Sequence, residues 1–567
     1  MVKPSFHVSS VSSYFCCLFV FSFFVNTLVS LPFPRQDQIE ILMALKNEFP
    51  TLKCDFRKIP FSEPKTKSWT SKDVNANSSL FRFHHLRYLD LSYNFFESFS
   101  FFPEFGKLKT LEVLHLSYLG LAGEIPSSVS SLNRLTDLDL SGNELIGSFS
   151  PLLNLSKLSS LDLSNNLFSG NFPCSLLTMP LLSTLDLSQN HLIDSLETMN
   201  CSSSSTLELL LLSENRLSGQ VPKWLWSMPS VRGLYLSHNS LDSFEGSPKM
   251  LLNSSLEILD LSSNVFRGSL PVISPRLSIM LASNNSFTGD IPLSFCNLSY
   301  LEILDLAHNN FSGSIPGCLI TSLQHLNLRN NNLIGRLPDI FNKSVSLLQT
   351  LVVSHNQITG KLPRSLTYCK YLEYLNVEGN RIADTFPILD TYTSIDFSEN
   401  KLEGQIPESI GLLKSLIVLN LSSNDFTGHV PSSWANLTSL ESLDLSRNQL
   451  TGTIPQELAT LSFLEYINVS HNKLTGQIPQ STQFGGQPKS SFEGNLNLCG
   501  LPLEESCFGD KAPSTPEAQE PESSEQEQVV NWKAAAVGYG PGVLFGLAIG
   551  HVFYSYKPVL FYRLFRI

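Results

Sequence analysis

Eleven asparagines stand two residues before a serine or threonine: Asn77, Asn154, Asn200, Asn253, Asn284, Asn297, Asn310, Asn342, Asn420, Asn436 and Asn468. That spacing is the acceptor pattern for N-linked glycosylation and points to a surface exposed in the secretory pathway. Of ten cysteines, Cys16 and Cys17 lie in an N-terminal apolar stretch. The other eight, Cys54, Cys174, Cys201, Cys296, Cys318, Cys369, Cys499 and Cys507, fall in what reads as an oxidising compartment. His238, His308, His355 and His471 each precede a recurrent asparagine. Imidazoles can bind metal or switch charge near neutral pH. These four are spread too widely to converge, and they read as surface residues. A Walker lysine loop, an HExxH pair, a GxSxG elbow and the kinase motifs are all absent from the sequence. Gly538-Tyr-Gly540-Pro-Gly542 lacks the third glycine of a nucleotide loop and lies in an apolar segment. The expectation is a protein that binds, with no catalytic residue, no cofactor and no metal.

The elements that position these residues begin with the bulk of the chain. It has 567 residues, Lys+Arg 38 against Asp+Glu 50, and a net charge of −12. Charged residues make up 16%, against about 25% in an ordinary globular domain. An acidic, charge-poor chain offers no basic face for nucleic acid. A hydrophobic content of 42% excludes wholesale disorder.

Both ends carry membrane signals. Lys3, an apolar run and Ser30 before Leu31-Pro32 predict a secretory signal peptide over residues 1–30. Residues 534–556 carry no formal charge, and at about 1.5 Å per residue they reach across a bilayer core. Lys557, Arg563 and Arg566 follow this segment, while Glu517, Glu520, Glu522, Glu525 and Glu527 precede it. The positive-inside bias predicts a single-pass type I topology, with the transmembrane helix over 533–556 and a cytosolic tail over 557–567. Gly538, Gly542, Gly546 and Gly550 recur every four residues on one helical ridge. Small residues at that spacing let two membrane helices pack closely.

Between the ends, one unit recurs, LxxLxLSxNxLxGxIPxx. Its asparagine falls at 94, 143, 166, 190, 215, 239, 264, 285, 309, 331, 356, 380, 400, 424, 448 and 472, and Leu119 takes the place in one further unit. The period of roughly 24 residues predicts a solenoid of leucine-rich repeats, about seventeen of them. In Leu301-x-x-Leu304-x-Leu306 the alternation makes a short strand with its leucines inward, so stacked units form a parallel sheet. Each asparagine amide is expected to bond backbone in a buried turn, and Leu119 should mark a weak rung. The residue between the two strand leucines projects from the concave face. It is usually Asp or Asn; Leu211, Tyr235, Leu281 and Val352 depart from that choice and are the candidate ligand contacts.

The GxIP extension, as in Gly313-Ser-Ile315-Pro316 and Gly452-Thr-Ile454-Pro455, resembles the plant-specific class of leucine-rich repeat. The run from Tyr392 to Gly411 is similar to the start of the last repeat block of plant receptor-like proteins of the tomato Cladosporium-resistance type. Asn495-Leu-Asn-Leu-Cys499-Gly-Leu-Pro-Leu-Glu-Glu-Ser-Cys507 resembles that family's C-terminal cap. The resemblance implies a Cys499–Cys507 disulfide closing the solenoid, a small loop that the eight-residue spacing also suits. Cys174 with Cys201 and Cys296 with Cys318 sit on neighbouring rungs as further candidate pairs. It also implies an α/β solenoid of the plant-specific superhelical type with parallel strands on the concave face, plus one transmembrane helix. The implied function is a plasma-membrane receptor for an extracellular peptide, protein or glycan. Such a receptor signals through an adaptor receptor kinase docked on the membrane helix, in plant defence. A developmental peptide co-receptor, an inhibitor of wall-degrading enzymes and a shortened non-signalling relative are the alternatives.

Two departures from the family pattern stand out. Residues 31–80 hold only a reduced N-terminal cap, with Cys54 lacking its usual partners. The interval from Asn380 to Asn400 is too short for the island that interrupts the solenoid in related receptors. The remaining expected boundaries are repeats over 81–480, the C-terminal cap over 481–510 and an acidic juxtamembrane stretch over 511–532.

Overall fold

The computed structural model describes residues 79–503 and 507, apart from 94–98, 101–102, 196–200, 202–205, 227, 247–250, 253, 340–345, 364–365, 367–368 and 384–391. The expected signal peptide, the reduced cap short of residue 79, the membrane segment and the tail lie outside the described residues. Among those described, no helix is long and apolar enough to cross a membrane.

The repeat becomes a 17-stranded parallel sheet running from Tyr88–Asp90 to Tyr466–Asn468. Each strand is three residues long, and its central leucine, isoleucine or methionine pairs in register with the next, as Leu304 does with Leu326. The flanking residues of each strand face the concave side, while the central residue and the next leucine are buried; Leu304 and Leu306 are fully enclosed. Two residues past the asparagine, Phe266, Phe287 and Phe311 stack rung on rung, with ring centroids 5.6 and 6.1 Å apart. No rung encloses its own apolar face, so stability is shared between neighbours.

The asparagine column does the work expected of it. Asn309 accepts from the Phe287 N–H at 3.0 Å and donates to the carbonyls of Ala282, Leu306 and Ala307 at 2.9, 3.2 and 3.1 Å. The same pattern recurs at Asn331, Asn424 and Asn448. The column also extends into the cap, where Asn495 accepts from Leu474 and donates to Val469, both at 3.0 Å.

The outer half of the unit follows from GxIP. The glycine takes positive φ, 73° at Gly313 and 80° at Gly452, which lets the chain leave a short outer strand. The isoleucine is buried and the proline begins a tight turn, as Pro292 does before Leu293–Asn297 and Pro431 before Ser432–Asn436. These turns correct the helical part of the α/β expectation. They are 3-10, and among the described residues α-helix is limited to Lys223–Trp226, Gly317–Ser322 and Thr482–Gly485. A five-residue turn capped by proline has room for i→i+3 bonds and little else.

The rungs on either side of residues 384–391 are neighbours in the sheet. Tyr374–Asn376 pairs directly with Ser394–Asp396, and Asn400 accepts from Ile382 at 3.1 Å. At the C-terminal end Asn497–Cys499 pairs with Lys473–Gln477 over buried Phe484, Phe492 and Leu498. Three disulfides are formed: Cys174–Cys201, Cys296–Cys318 and Cys499–Cys507. Cys369 is a buried free thiol.

Candidate ligand-binding face

The concave face is built from the first and third residue of every strand. The third position, where Asp and Asn dominate, has a structural role. Asp139, Asp162, Asp260 and Asp396 each accept from the main-chain N–H two residues on, at 2.9–3.0 Å. Asn327, Asn376, Asn420 and Asn468 do the same at 3.0–3.2 Å. These are Asx turns that end the strand and aim the chain into the asparagine turn. An apolar side chain has no oxygen for this bond, so Leu211, Tyr235, Leu281 and Val352 forgo a local stabilising contact.

The register brings three of these four together. Leu211 lies beside Tyr235, Tyr235 beside Asp260, and Asp260 beside Leu281. The first strand position adds four residues that inspection of the Asp/Asn row alone misses. Leu209 pairs with Gly233, Gly233 with Ile258, Ile258 with Ile279, and Ile279 with Ile303. The signal is present in the sequence, because residues i and i+2 of a strand share a face. At Gly233 a side chain would collide: a Cβ there would stand 2.5 Å from Leu209 Cδ1 and 3.3 Å from Tyr235 Cε2. Leu209 and Tyr235 therefore close over the glycine, and the first-position row is apolar across five rungs, while Asp260 and Asp305 keep third positions beside it. Val352 lies apart, separated from Leu281 by the rungs of Asp305 and Asn327.

On the N-terminal side this surface meets carboxylates. Asp139 pairs with Asp162, Asp162 with Asp186, and Asp186 with Leu211. Asp137 adds a further carboxylate at the first position of its strand, 3.4 Å from His115. Its hydrogen bond raises the His115 pKa. Loss of solvent pushes Asp162 up as well, against the hydrogen bonds from Ser164. Asp186 is pushed to about 7, first by burial and then by the charge of Asp162. On the rungs of residues 136–142, 159–165, 183–189 and 208–214 there is no lysine or arginine.

The four histidines do not converge. All of them hold the left-handed position before the asparagine, with φ of 52–54°, a region where histidine is enriched. Among the described residues no group of three or more His, Cys, Asp or Glu side chains is placed to hold a metal ion. Of the sequons, Asn154, Asn297, Asn310 and Asn436 are exposed, away from the inner sheet. Asn284 is half-buried, with Nδ2 3.3 Å from Ser263 Oγ. Asn420 and Asn468 are half-buried within the concave row itself. Asn77, Asn200, Asn253, Asn342 and the ridge glycines Gly538, Gly542, Gly546 and Gly550 lie outside the described residues.

A single parallel sheet of asparagine-turned rungs, with GxIP outer turns and an apolar track on its inner face, defines a plant-type leucine-rich-repeat solenoid. Leucine rich repeat models match residues 180–241, 321–382 and 418–474, and again 85–108, 157–179 and 300–321. The chain belongs to the plant leucine-rich-repeat receptor-like proteins. It is 43% identical to Receptor-like protein 54 of Arabidopsis thaliana, over all of both chains. That alignment runs over 798 positions against the 567 residues here, so gaps in this chain make up the difference. It is 56% identical to Receptor like protein 22 of the same plant over 43% of this chain and 35% of that one.

Two solved structures share the fold. The ectodomain of the Arabidopsis thaliana membrane receptor kinase GASSHO1/SCHENGEN3, in complex with CASPARIAN STRIP INTEGRITY FACTOR 2, is 30% identical with a TM-score of 0.63. The match covers 77% of this chain and 55% of that one. The Arabidopsis receptor kinase HAESA, in complex with the peptide hormone IDA and the co-receptor SERK1, is 29% identical with a TM-score of 0.60, over 75% and 76%.

Proposed function

We propose that the chain is a plasma-membrane receptor whose concave face binds an extracellular ligand, a peptide ahead of a folded protein or a glycan. Its output passes to a partner receptor kinase through the membrane helix, in plant defence. The observation that carries this reading is the first-position row without a polar side chain over five consecutive rungs, joined by Leu211, Tyr235 and Leu281 at positions where most of the sheet uses Asp or Asn. These side chains are half-buried in the free chain, and apolar side chains gathered on a solvent-facing sheet mark a binding site. The complexes of the two similar ectodomains with extracellular ligands support the same assignment. In this reading the segment 533–556 spans the membrane once, residues 557–567 are cytosolic, and the sequons carry glycans on the outside. The co-receptor in the HAESA complex supports a second membrane protein as the partner.

A second reading is favoured by the direct pairing of Tyr374–Asn376 with Ser394–Asp396 and by the gaps against the longer relative. It is a shortened relative that binds ligand and passes nothing on. Affinity purification of the full chain from plant membranes separates the two. The receptor reading expects a receptor kinase to co-purify, and recovery of the chain without any kinase would overturn it in favour of the shortened relative.

A further inference from the structure

We infer that the concave face is built for one polarity of ligand: an extended peptide whose cationic end lies over Asp137, Asp139, Asp162 and Asp186 and whose apolar part lies over Leu209 to Ile303. This rests on the reading of the concave face as the ligand site and gives that ligand a chemistry and a direction.

The starting point is the register. Asp139, Asp162 and Asp186 occupy the same place on three consecutive strands, each next to the other. Neighbouring strands lie about 4.8 Å apart. Like charges directly opposite each other on a sheet repel. The Asx turn does not require that charge. Asn327, Asn376, Asn420 and Asn468 make the same bond to the N–H two residues on, with an uncharged amide. Above about pH 7, where Asp186 too has lost its proton, the three carboxylates therefore carry a negative charge that the turn does not need. Ser141, Ser164 and Ser188 donate to them at 2.5–2.6 Å, but a hydroxyl brings no opposite charge. Apart from His115 beside Asp137, the surrounding concave positions on these rungs supply no basic side chain.

The second half is the adjoining surface. Immediately past Asp186 the same row changes to Leu211 and Tyr235 and then alternates through Asp260, Leu281 and Asp305, while the parallel row is Leu209, Gly233, Ile258, Ile279 and Ile303, with no acidic residue. Acidic and apolar surface meet at one strand pair with no gap. A ligand that covers both must present a cation and then apolar side chains, in that order from the N-terminal rungs. Charge complementarity of this kind fixes register and excludes the wrong partner. From the rung of Asp137 to that of Ile303 is seven strand spacings, or about 34 Å. An extended chain at about 3.4 Å per residue spans that with about ten residues. The outward-facing alternate side chains of such a peptide would remain free for a second protein.

The test uses three synthetic peptides of about twelve residues and the full chain purified in detergent. One peptide has three lysines followed by leucines and phenylalanines; one has glutamates in place of the lysines; one keeps the lysines and has serines in place of the apolar residues. Affinity is read by fluorescence anisotropy. The lysine–apolar peptide should bind at least tenfold more tightly than either of the others. In the Asp139→Asn, Asp162→Asn, Asp186→Asn variant the preference for lysine over glutamate should vanish. The assays are run at pH 8, where Asp186 is ionised; asparagine keeps the turn bond, so this variant should retain its circular dichroism and melt no lower than the wild-type chain. A glutamate peptide that binds as well as the lysine peptide would overturn the polarity, as would a preference unchanged in the triple variant. If both apolar peptides bind equally and lose binding in Leu211→Asn, Leu281→Asn, the concave site stands and only the polarity falls. Absence of binding by all three overturns the inference.

Discussion

Asn143 accepts through its side-chain oxygen from the main-chain N–H of Leu119 at 3.1 Å and from that of Leu121 at 2.9 Å. Elsewhere in the column, as at Asn331, the corresponding oxygen serves the outer-strand N–H, and the asparagine's own N–H bonds the next rung's backbone. Leu119 has no amide to give to the preceding rung, and its own main-chain N–H turns to the side chain of Asn143 on the following one. The leucine itself is fully buried in the core.

Asn143→Ala should therefore be more damaging than Asn331→Ala. It strands two buried N–H groups where the other strands one, and each costs about 1–3 kcal/mol. A solenoid loosens rung by rung, so the comparison is best made by hydrogen exchange. The amides of Leu119 and Leu121 should exchange far faster in the variant, and the deprotected stretch should be wider than that around Phe311 in Asn331→Ala. Equal protection loss in the two variants would mean the break at Leu119 is satisfied by other means.

The carboxylate ladder makes a pH prediction. Asp186 holds its proton up to about 7 in the folded state, against 3.8 for an ordinary aspartate carboxyl. The groups facing it are Asp162 and Asp139 on one side and Leu211 on the other. A raised carboxyl pKa means that the folded state binds the proton more tightly, so this group stabilises the fold at low pH. That contribution declines as pH rises from about 4 to about 7 and is gone above it. Asp186→Asn removes the titration but keeps the turn acceptor. The wild-type chain should melt at a higher temperature at pH 5 than at pH 8, and the variant should show a smaller difference, with the gain at pH 8. An unchanged difference would place the pH dependence elsewhere.

Much of this is legible in the sequence, and the gaps have physical causes. Period and inward leucines define the sheet, and the amide of Asn309 can only serve backbone in a buried turn. The repeated Asp-Leu-Ser reads at first as a polar concave row. Its two-residue spacing from carboxylate to amide is in fact the signature of the Asx turn seen at Asp139 and Ser141. Leu211 and Tyr235 are adjacent in that row and Leu281 lies one rung beyond Asp260, and the parallel first-position row that joins them is missed when only the Asp/Asn row is inspected. Asn495 is hidden because Ser491-Phe-Glu-Gly-Asn495 carries none of the LxLSxN spacing, although its amide does the same work. The helical content is smaller than the repeat class suggests because a GxIP unit of about 24 residues leaves a single short turn on the outer side.

Thiol chemistry separates the cysteines by environment. The pairs Cys174–Cys201, Cys296–Cys318 and Cys499–Cys507 are joined, and Cys369 is buried with its thiol pKa raised by loss of solvent. Thiolate is the reactive species. Treated with iodoacetamide in the native, unreduced state, the full chain should label at none of these seven positions. In denaturant without reductant Cys369 alone among them should label, and the six others only after reduction. Labelling of Cys499 and Cys507 before reduction would mean the cap is held by packing of Phe492 and Leu498 instead.

The final prediction concerns the route of the signal, and it falls on residues outside those described. In the receptor reading the output passes through a partner docked on the membrane helix. Gly538, Gly542, Gly546 and Gly550 recur every four residues in the apolar segment, the spacing of one ridge on a helix. Within lipid, association of helices is driven by close packing, and a glycine ridge allows the closest approach. Gly542→Leu with Gly546→Leu would hold the helices apart and remove those contacts. Leucine is the better helix former and at least as apolar, so the variant should still insert and reach the surface. The kinase recovered with the wild-type chain should fall several-fold, at equal surface expression. Recovery at the wild-type level would move the docking site off the ridge and onto the ectodomain. The lateral edges of the last rungs, from Ser394–Asp396 to Tyr466–Asn468, would then be the place to map it.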